Sequence, residues 1–435
     1  MTDRPHVVVI GGGFGGLAVA RGLARADVDV TLIDRRNHHL FQPLLYQVAT
    51  AALNPSDIAY PIRSVLARQR NARVLLAEAR AIDVAQRAVT LDDGVLHYDY
   101  LVVATGATHS YFGHDAWAAY APGLKSIEDA LEIRRRVFLA YEAAERETDP
   151  ARQREWLTFA VIGAGPTGVE LAGALGEIGL TTLARDFRAI DPTSVRVVLF
   201  EGRGRVLGTY PEKLSLAAQR SLAARHVEVR VDTMVTGVDE TGVTIQRGDG
   251  TTERIATRTV LWAAGVQASS LAASLGAPRD RQGRVEVRPD LSIPDHPEVF
   301  VIGDLAKVVC EGEEVPGVAQ GAMQAGRHVA REIAGAPRTP FRYRDKGNMA
   351  TIGRAEAVIA TKHFARHGFI AWLMWWAVHI YFLVGFKNRL LVMFHWAWSF
   401  LTFRRGARLI TGDVGALPAI DDRRSARTSE HRNAS

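Results

Sequence analysis

The chain has 435 residues, 47% hydrophobic and 23% charged, which fits a folded protein of two or three domains and excludes a largely disordered one. Its one cysteine, Cys310, excludes an internal disulfide, a CxxC redox pair and a cysteine-rich metal centre. The net charge is +6, yet residues 341–408 hold eleven Lys or Arg against two Asp or Glu, so the basic character is local.

In chain order, residues 6–10 are a short apolar run that reads as a strand. Gly11, Gly13 and Gly16 follow in a GxGxxG pattern. Residues 17–26 have the alanine- and leucine-rich composition of a helix, and residues 28–33 read as a second strand ending at Asp34. In such an opening Gly11 permits the tight turn, Gly13 lets a pyrophosphate approach the backbone, and Gly16 lets helix and strand pack closely. The helix N-terminus offers N–H groups to phosphates, and Asp34 is placed to accept hydrogen bonds from a ribose. The first strand starts almost at once, so a cytoplasmic or cytoplasm-facing protein is expected.

The pattern returns at residues 157–162, with Gly163, Gly165 and Gly168 in a second GxGxxG, a helix over 170–179 and a strand over 195–200 ending at Glu201. The longer spacing predicts that residues 180–193 extend the helix and its exit loop. A carboxylate at Glu201 would bond a ribose 2′-OH and repel a 2′-phosphate, favouring NADH over NADPH, with Arg203 and Arg205 near enough to blunt the preference. Two further segments match each other, YLVVATGA (100–107) and TVLWAAGV (259–266). VFVIGDLA (299–306) then precedes a helical stretch over 319–333.

Two dinucleotide sites in one chain imply a nicotinamide hydride donor and, most economically, a bound flavin to receive the hydride. FAD is expected at the N-terminal site, with Asp304 returning to the ribityl chain. Hydride transfer needs the nicotinamide stacked on the flavin ring at near-contact distance.

Five of the eight tryptophans lie between Trp372 and Trp398, interleaved with basic residues, which favours a membrane interface over nucleic acid. Residues 369–386 are apolar apart from His379 and, at ~1.5 Å per residue, long enough for a span. Residues 390–403 carry His395, Ser399 and Thr402 on one helical face, and Arg404 and Arg405 close the block. A helical hairpin lying in the interface is expected, with one spanning helix as the rival. Residues 409–435 read as a polar, disordered tail. The histidines show no metal-ligand spacing, and no metal is expected.

The order GGGFGG, ATGA, GAGPTGVELAG, WAAG and VIGDLA resembles the two-dinucleotide-binding-domain flavoproteins related to disulfide reductases. Within that superfamily the chain most resembles type II NADH dehydrogenases, the non-proton-pumping NADH:quinone oxidoreductases. FQPLLYQVA (41–49), AQGAMQ (319–324) and YRDKGNMATIGR (343–354) make the match specific, and the single cysteine removes the disulfide-reductase and sulfide:quinone branches. The expected fold class is α/β: two Rossmann-like domains with a C-terminal helical membrane-associating segment. The FAD domain would be discontinuous (1–117 and 284–340), the NADH domain inserted (118–283), and the quinone and anchoring region would cover 341–408.

The resemblance implies that Gly11, Gly13, Gly16, Asp34, Thr105, Gly106 and Asp304 hold FAD. It implies that Gly163, Gly165, Gly168, Glu201, Ala264 and Gly265 hold NADH. Glu170 would sit near nicotinamide and flavin, Gln320 and Gln324 would flank the quinone headgroup, and Lys346 would steer charge or protons beside them. The two glutamines are one helical turn apart, and their amides can donate to quinone carbonyls without adding charge. The implied partners are a membrane quinone, an anionic lipid surface and a second copy of the chain, on the cytoplasmic face of the membrane. Two other readings stay open at this point: an NADH-dependent reductase of a soluble electron carrier, and a flavin-bearing redox sensor without quinone turnover.

Overall fold

Two central strands with nearly identical surroundings organise the molecule, a computed structural model that describes residues 4–402, 407–412 and 417. Arg404, Arg405 and most of the expected polar tail lie outside the described residues. The chain divides into two units. One comprises Met1–Phe41, Ala59–Ser110 and Gly265–Lys346; the other comprises Gln42–Ile58, Tyr111–Ala264 and Gly347–Ser435.

In the first unit the strand His6–Ile10 is flanked on one side by Asp29–Asp34 and on the other by Tyr100–Val103, all parallel. Val7, Val8 and Val9 are fully buried, as expected of β-branched residues in a parallel strand covered on both faces. Ala72–Leu76 extends the sheet at one end, and His296–Val301 followed by the antiparallel Ser292–Ile293 extends it at the other. Neighbours on both sides make the C-terminal end of the first strand the point where the chain's winding reverses, which is where open α/β sheets bind ligands.

The helix that follows spans Phe14–Gly22, so it begins before the predicted 17–26 and ends sooner. Its end is set from a distance. The Asn71 amide donates to the carbonyls of Leu23, Ala26 and Val28, satisfying in a turn the groups that a longer helix would have used.

The second unit repeats the arrangement with a four-stranded parallel sheet in the order Val227–Arg230, Arg196–Phe200, Thr158–Ile162, Thr259–Trp262. The inserted stretch continues the helix Pro166–Glu177 through a wide π turn, Ile178–Thr182, and returns through a short 3-10 turn, Pro192–Ser194. Glu145 pins its exit by accepting the N–H groups of Arg188, Ala189 and Ile190.

Beyond residue 346 the same unit gains a three-stranded antiparallel sheet, Asn348–Gly353, Glu356–Ala360 and Ala365–Gly368. Two helices follow, Phe369–Phe382 and Phe386–Thr402. The apolar block 369–386 is therefore not one element. The chain leaves the helix at Leu383 and turns at Gly385 (φ +89°). Among the described residues no helix is long and apolar enough to cross a membrane, so the spanning rival falls and two consecutive helices joined by a turn take its place.

After the hairpin, residues 407–412 return to the unit's own surface. The buried Arg134, on the helix Ile127–Arg146, donates to the Ala407 carbonyl at 2.9 Å. Arg408 reaches the Thr182 carbonyl and the Asp186 carboxylate.

The antiparallel sheet meets the helix Pro166–Glu177 at Gly173, where an added Cβ would lie 2.2 Å from the Ile352 carbonyl oxygen. Gly173→Ala should therefore force helix and strand apart and cost about 1–3 kcal/mol, read as a lower urea midpoint in equilibrium unfolding.

Candidate functional site

Each unit builds the same cradle. Gly13 and Gly165 cap their helices with nearly equal backbone angles, φ −72°, ψ −166° and φ −70°, ψ −177°. Gly11 (φ +104°) and Gly163 (φ +97°) adopt the left-handed conformation that the sharp turn requires. A Cβ on Gly16 would fall 1.8 Å from the Gly11 carbonyl oxygen, and one on Gly168 would fall 1.8 Å from that of Gly163.

The acid that ends each second strand latches its glycine turn. Asp34 accepts from Gly12 N–H at 2.6 Å and from Arg36 N–H at 2.7 Å. Glu201 accepts from Ala164 N–H at 2.8 Å and from Arg203 N–H at 3.0 Å. Both carboxylates are thus held beside the helix N-terminus, where a ribose attached to a pyrophosphate would lie.

The first cradle fits a flavin dinucleotide on two observations. Open space lies beyond Gly13 and Gly106, where an added Cβ would meet nothing within 4 Å. The buried Thr105 hydroxyl has no protein partner among the described residues, and a ligand would supply one. Asp304 lies in the short 3-10 turn Gly303–Leu305, entered through the left-handed Gly303 (φ +71°). In the second cradle Gly165 faces open space in the same way, and a Cβ on Gly163 would be 2.8 Å from Ala264. Gly265, next in the chain, is left-handed (φ +75°).

Glu170 is one turn into the helix behind the second cradle. Burial pushes its carboxyl up to about 8, against which the Thr351 N–H, 3.4 Å from Oε1, offers little. The group is therefore neutral at pH 7 and able to donate a proton. Burial, with the Glu170 charge second, also raises the Tyr210 phenol out of the titratable range. Neither Thr351 nor Tyr210 was read as a site residue from the sequence. The only hint was the match of the segment 343–354.

Gln320 and Gln324 lie in the first turns of the helix Ala319–Ile333, and both hold the chain just beyond it. Gln324 donates to the Arg344 carbonyl at 3.0 Å and accepts from Arg344 N–H at 2.9 Å. Gln320 accepts from Lys346 N–H at 3.1 Å, which leaves the Lys346 side chain exposed. The structure thus brings the three residues together, with the amides oriented by backbone.

The C-terminal helices dock through a narrow polar and aromatic stripe. Ala371, Trp375 and His379, four residues apart, are the buried face of the first helix. The second is keyed to the segment 47–57: Asn388 donates to the Ser56 carbonyl, His395 lies 3.3 Å from the Asp57 carboxylate, and Trp396 donates to Gln47 Oε1 at 2.6 Å. The outer face leaves Ile370, Tyr381 and Phe394 at 68%, 69% and 64% exposure. Among the described residues no group of His, Cys, Asp and Glu is arranged to hold a metal ion.

Residues 5–326 match the pyridine nucleotide-disulphide oxidoreductase family, and residues 346–405 match the NDH2 C-terminal domain. The type II NADH:quinone oxidoreductase Ndh of Mycobacterium tuberculosis is 48% identical over 424 residues, covering 94% of this chain and 90% of that protein. The type II NADH:quinone oxidoreductase of Staphylococcus haemolyticus is 32% identical, covering 82% and 89%. Among solved structures, NDH2 from Plasmodium falciparum in complex with NADH superposes with a TM-score of 0.84 at 20% identity, over 94% of this chain and all of that one. With both cradles built as dinucleotide sites, the chain belongs to the pyridine nucleotide-disulphide oxidoreductase family as a type II NADH:quinone oxidoreductase, a FAD-dependent enzyme that oxidises NADH.

Proposed function

We propose that the enzyme passes the electrons of NADH to a quinone at a membrane surface, from the cytoplasmic side and without moving protons across the bilayer. The observation that carries this reading is the outer face of the C-terminal hairpin. Large apolar side chains stand exposed along two consecutive helices, in a segment rich in Lys and Arg. Apolar surface of that extent marks an interaction site, and tryptophans with basic residues suit an anionic lipid interface. A lipid-soluble acceptor is met there. The two relatives named above carry quinone in their names.

In this reading Gly11, Gly13, Gly16, Asp34, Thr105, Gly106 and Asp304 hold FAD, and Gly163, Gly165, Gly168, Glu201, Ala264 and Gly265 hold NADH. Flavin, when bound, supplies a two-electron acceptor for the hydride. The Glu201 carboxylate, already fixed by two N–H groups, presents its charge where a 2′-phosphate would otherwise sit. Overall, NADH, one proton and a quinone become NAD+ and a quinol. Glu170 holds a proton for that step, and Gln320 and Gln324 fix the backbone that carries Lys346 at the quinone end. The active form is a homodimer.

The deciding experiment takes purified flavin-loaded protein, supplies NADH and adds a short-chain quinone. NADH oxidation should accelerate strongly, and an unchanged rate would refute the quinone reading. Because Glu170 keeps its proton up to about pH 8, quinone reduction should decline as pH rises through that value. Glu170→Gln should remove this alkaline limb from the pH–rate profile, and a limb identical to wild type would exclude Glu170 as the donor. Replacing Ile370 and Phe394 together with Asp should abolish co-sedimentation with phosphatidylglycerol-containing vesicles while NADH–ferricyanide activity persists; undiminished sedimentation would place the lipid contact elsewhere.

A further inference from the structure

Away from both cradles, the first unit carries an open groove of about 780 Å³. It lies at the end of the parallel strands opposite Gly11. Asp29 opens one of those strands, Asn71 immediately precedes another, Ala72–Leu76, and both line the groove. A dinucleotide in the glycine cradle would leave this groove empty.

Five arginines line it, Arg4, Arg21, Arg25, Arg68 and Arg70, against two acids, Asp27 and Asp29, so the lining keeps a net charge of +3. Arg4 is engaged, 2.6 Å from the Asp27 carboxylate. Among the described residues the other four arginine side chains have no hydrogen-bond or ion-pair partner, and all four are exposed.

A cation in the last turn of the helix Phe14–Gly22 is favoured by the helix dipole, which accounts for Arg21 by itself. Arg68 and Arg70 come from a separate stretch, beyond the helix Ile62–Leu66, and line the same groove. Like charges around one concavity repel each other and concentrate a positive potential there. The polar floor does not relieve them. Gln69 donates to the Ala20 carbonyl, and Asn71 donates to those of Leu23, Ala26 and Val28. Those amides occupy the carbonyls at the helix end, which offsets the negative pole that an anion would otherwise meet.

We propose that the groove binds the diphosphate group of a small anion, with the guanidiniums of Arg21, Arg25, Arg68 and Arg70 as donors. Guanidinium forks match phosphate oxygens two at a time. One phosphate monoester carries about −1.5 to −2 at pH 7, short of the lining's +3, and a second linked phosphate closes most of the gap. A free solute and a lipid headgroup can both present that group.

Calorimetric titration of the flavin-loaded enzyme in saturating NAD+ tests this with both cradles already supplied. Inorganic pyrophosphate should saturate a single site on each chain, about tenfold tighter than orthophosphate at equal ionic strength. Arg21→Gln combined with Arg68→Gln should weaken pyrophosphate binding about tenfold or more, through lost charge-assisted hydrogen bonds. Tm and NADH–ferricyanide activity should stay at wild-type values, because both side chains are exposed. Absence of saturable pyrophosphate binding overturns the proposal. So does an affinity that the two substitutions leave unchanged, or one no tighter than that of orthophosphate. Where pyrophosphate binds as expected, sedimentation with phosphatidylcholine vesicles with and without CDP-diacylglycerol, a diphosphate lipid, identifies the source. A gain with the diphosphate lipid that the double variant loses assigns the group to a headgroup. Equal gain, or none, in both proteins assigns it to a free solute, and either result upholds the site.

Discussion

Both nucleotide cradles depend on how closely a helix approaches the strand before it. In each, the carbonyl oxygen of the first glycine lies 1.8 Å from where a Cβ on the third would be. Any side chain there would lift the helix N-terminus away from the turn, and with it the N–H groups and dipole that would face a pyrophosphate. The turn is fixed independently by the acid at the end of the next strand, Asp34 in one unit and Glu201 in the other. A phosphate site made of backbone can be placed no better than its backbone is held, and here steric closeness and a charged latch hold the same few residues.

Much of this was legible because it is local. Strand, glycines, helix and terminal acid fall within one stretch of chain, and the requirement at each glycine is a requirement on its immediate neighbours. What escaped was set from afar. The first helix ends early where Asn71, more than forty residues away, holds the carbonyls of Leu23 and Ala26 in the turn that follows it. The apolar block 369–386 is broken by the backbone at Gly385, which average hydropathy does not register. Gln320 and Gln324 were expected to face a headgroup from one side of a helix. Periodicity gives that common face correctly, but it cannot show that the amides turn to the backbone at Arg344 and Lys346.

Glu170 shows the same limit at the candidate site. Its position in GPTGVE suggested a role, but its proton affinity comes from burial, which outweighs the opposing contact of the Thr351 N–H. That contact joins the part of the chain matching the oxidoreductase family, 5–326, to the part matching the NDH2 C-terminal domain, 346–405. The one hydrogen bond that the C-terminal part makes to this glutamate thus favours its charged form and opposes the effect of burial.

The return of residues 407–412 has a mechanical meaning. The hairpin is tethered at its entry by the antiparallel sheet, along its second helix by Asn388 and Trp396, and beyond its exit by the grip of Arg134 and Arg408. An amphipathic segment anchored at one end commonly gains its structure from lipid. This one is stretched between fixed points, so its apolar face exists before any bilayer is met. On the lipid-contact reading proposed above, adsorption would carry little folding entropy, and residence at the surface would be a reversible partition governed by apolar area and lipid charge.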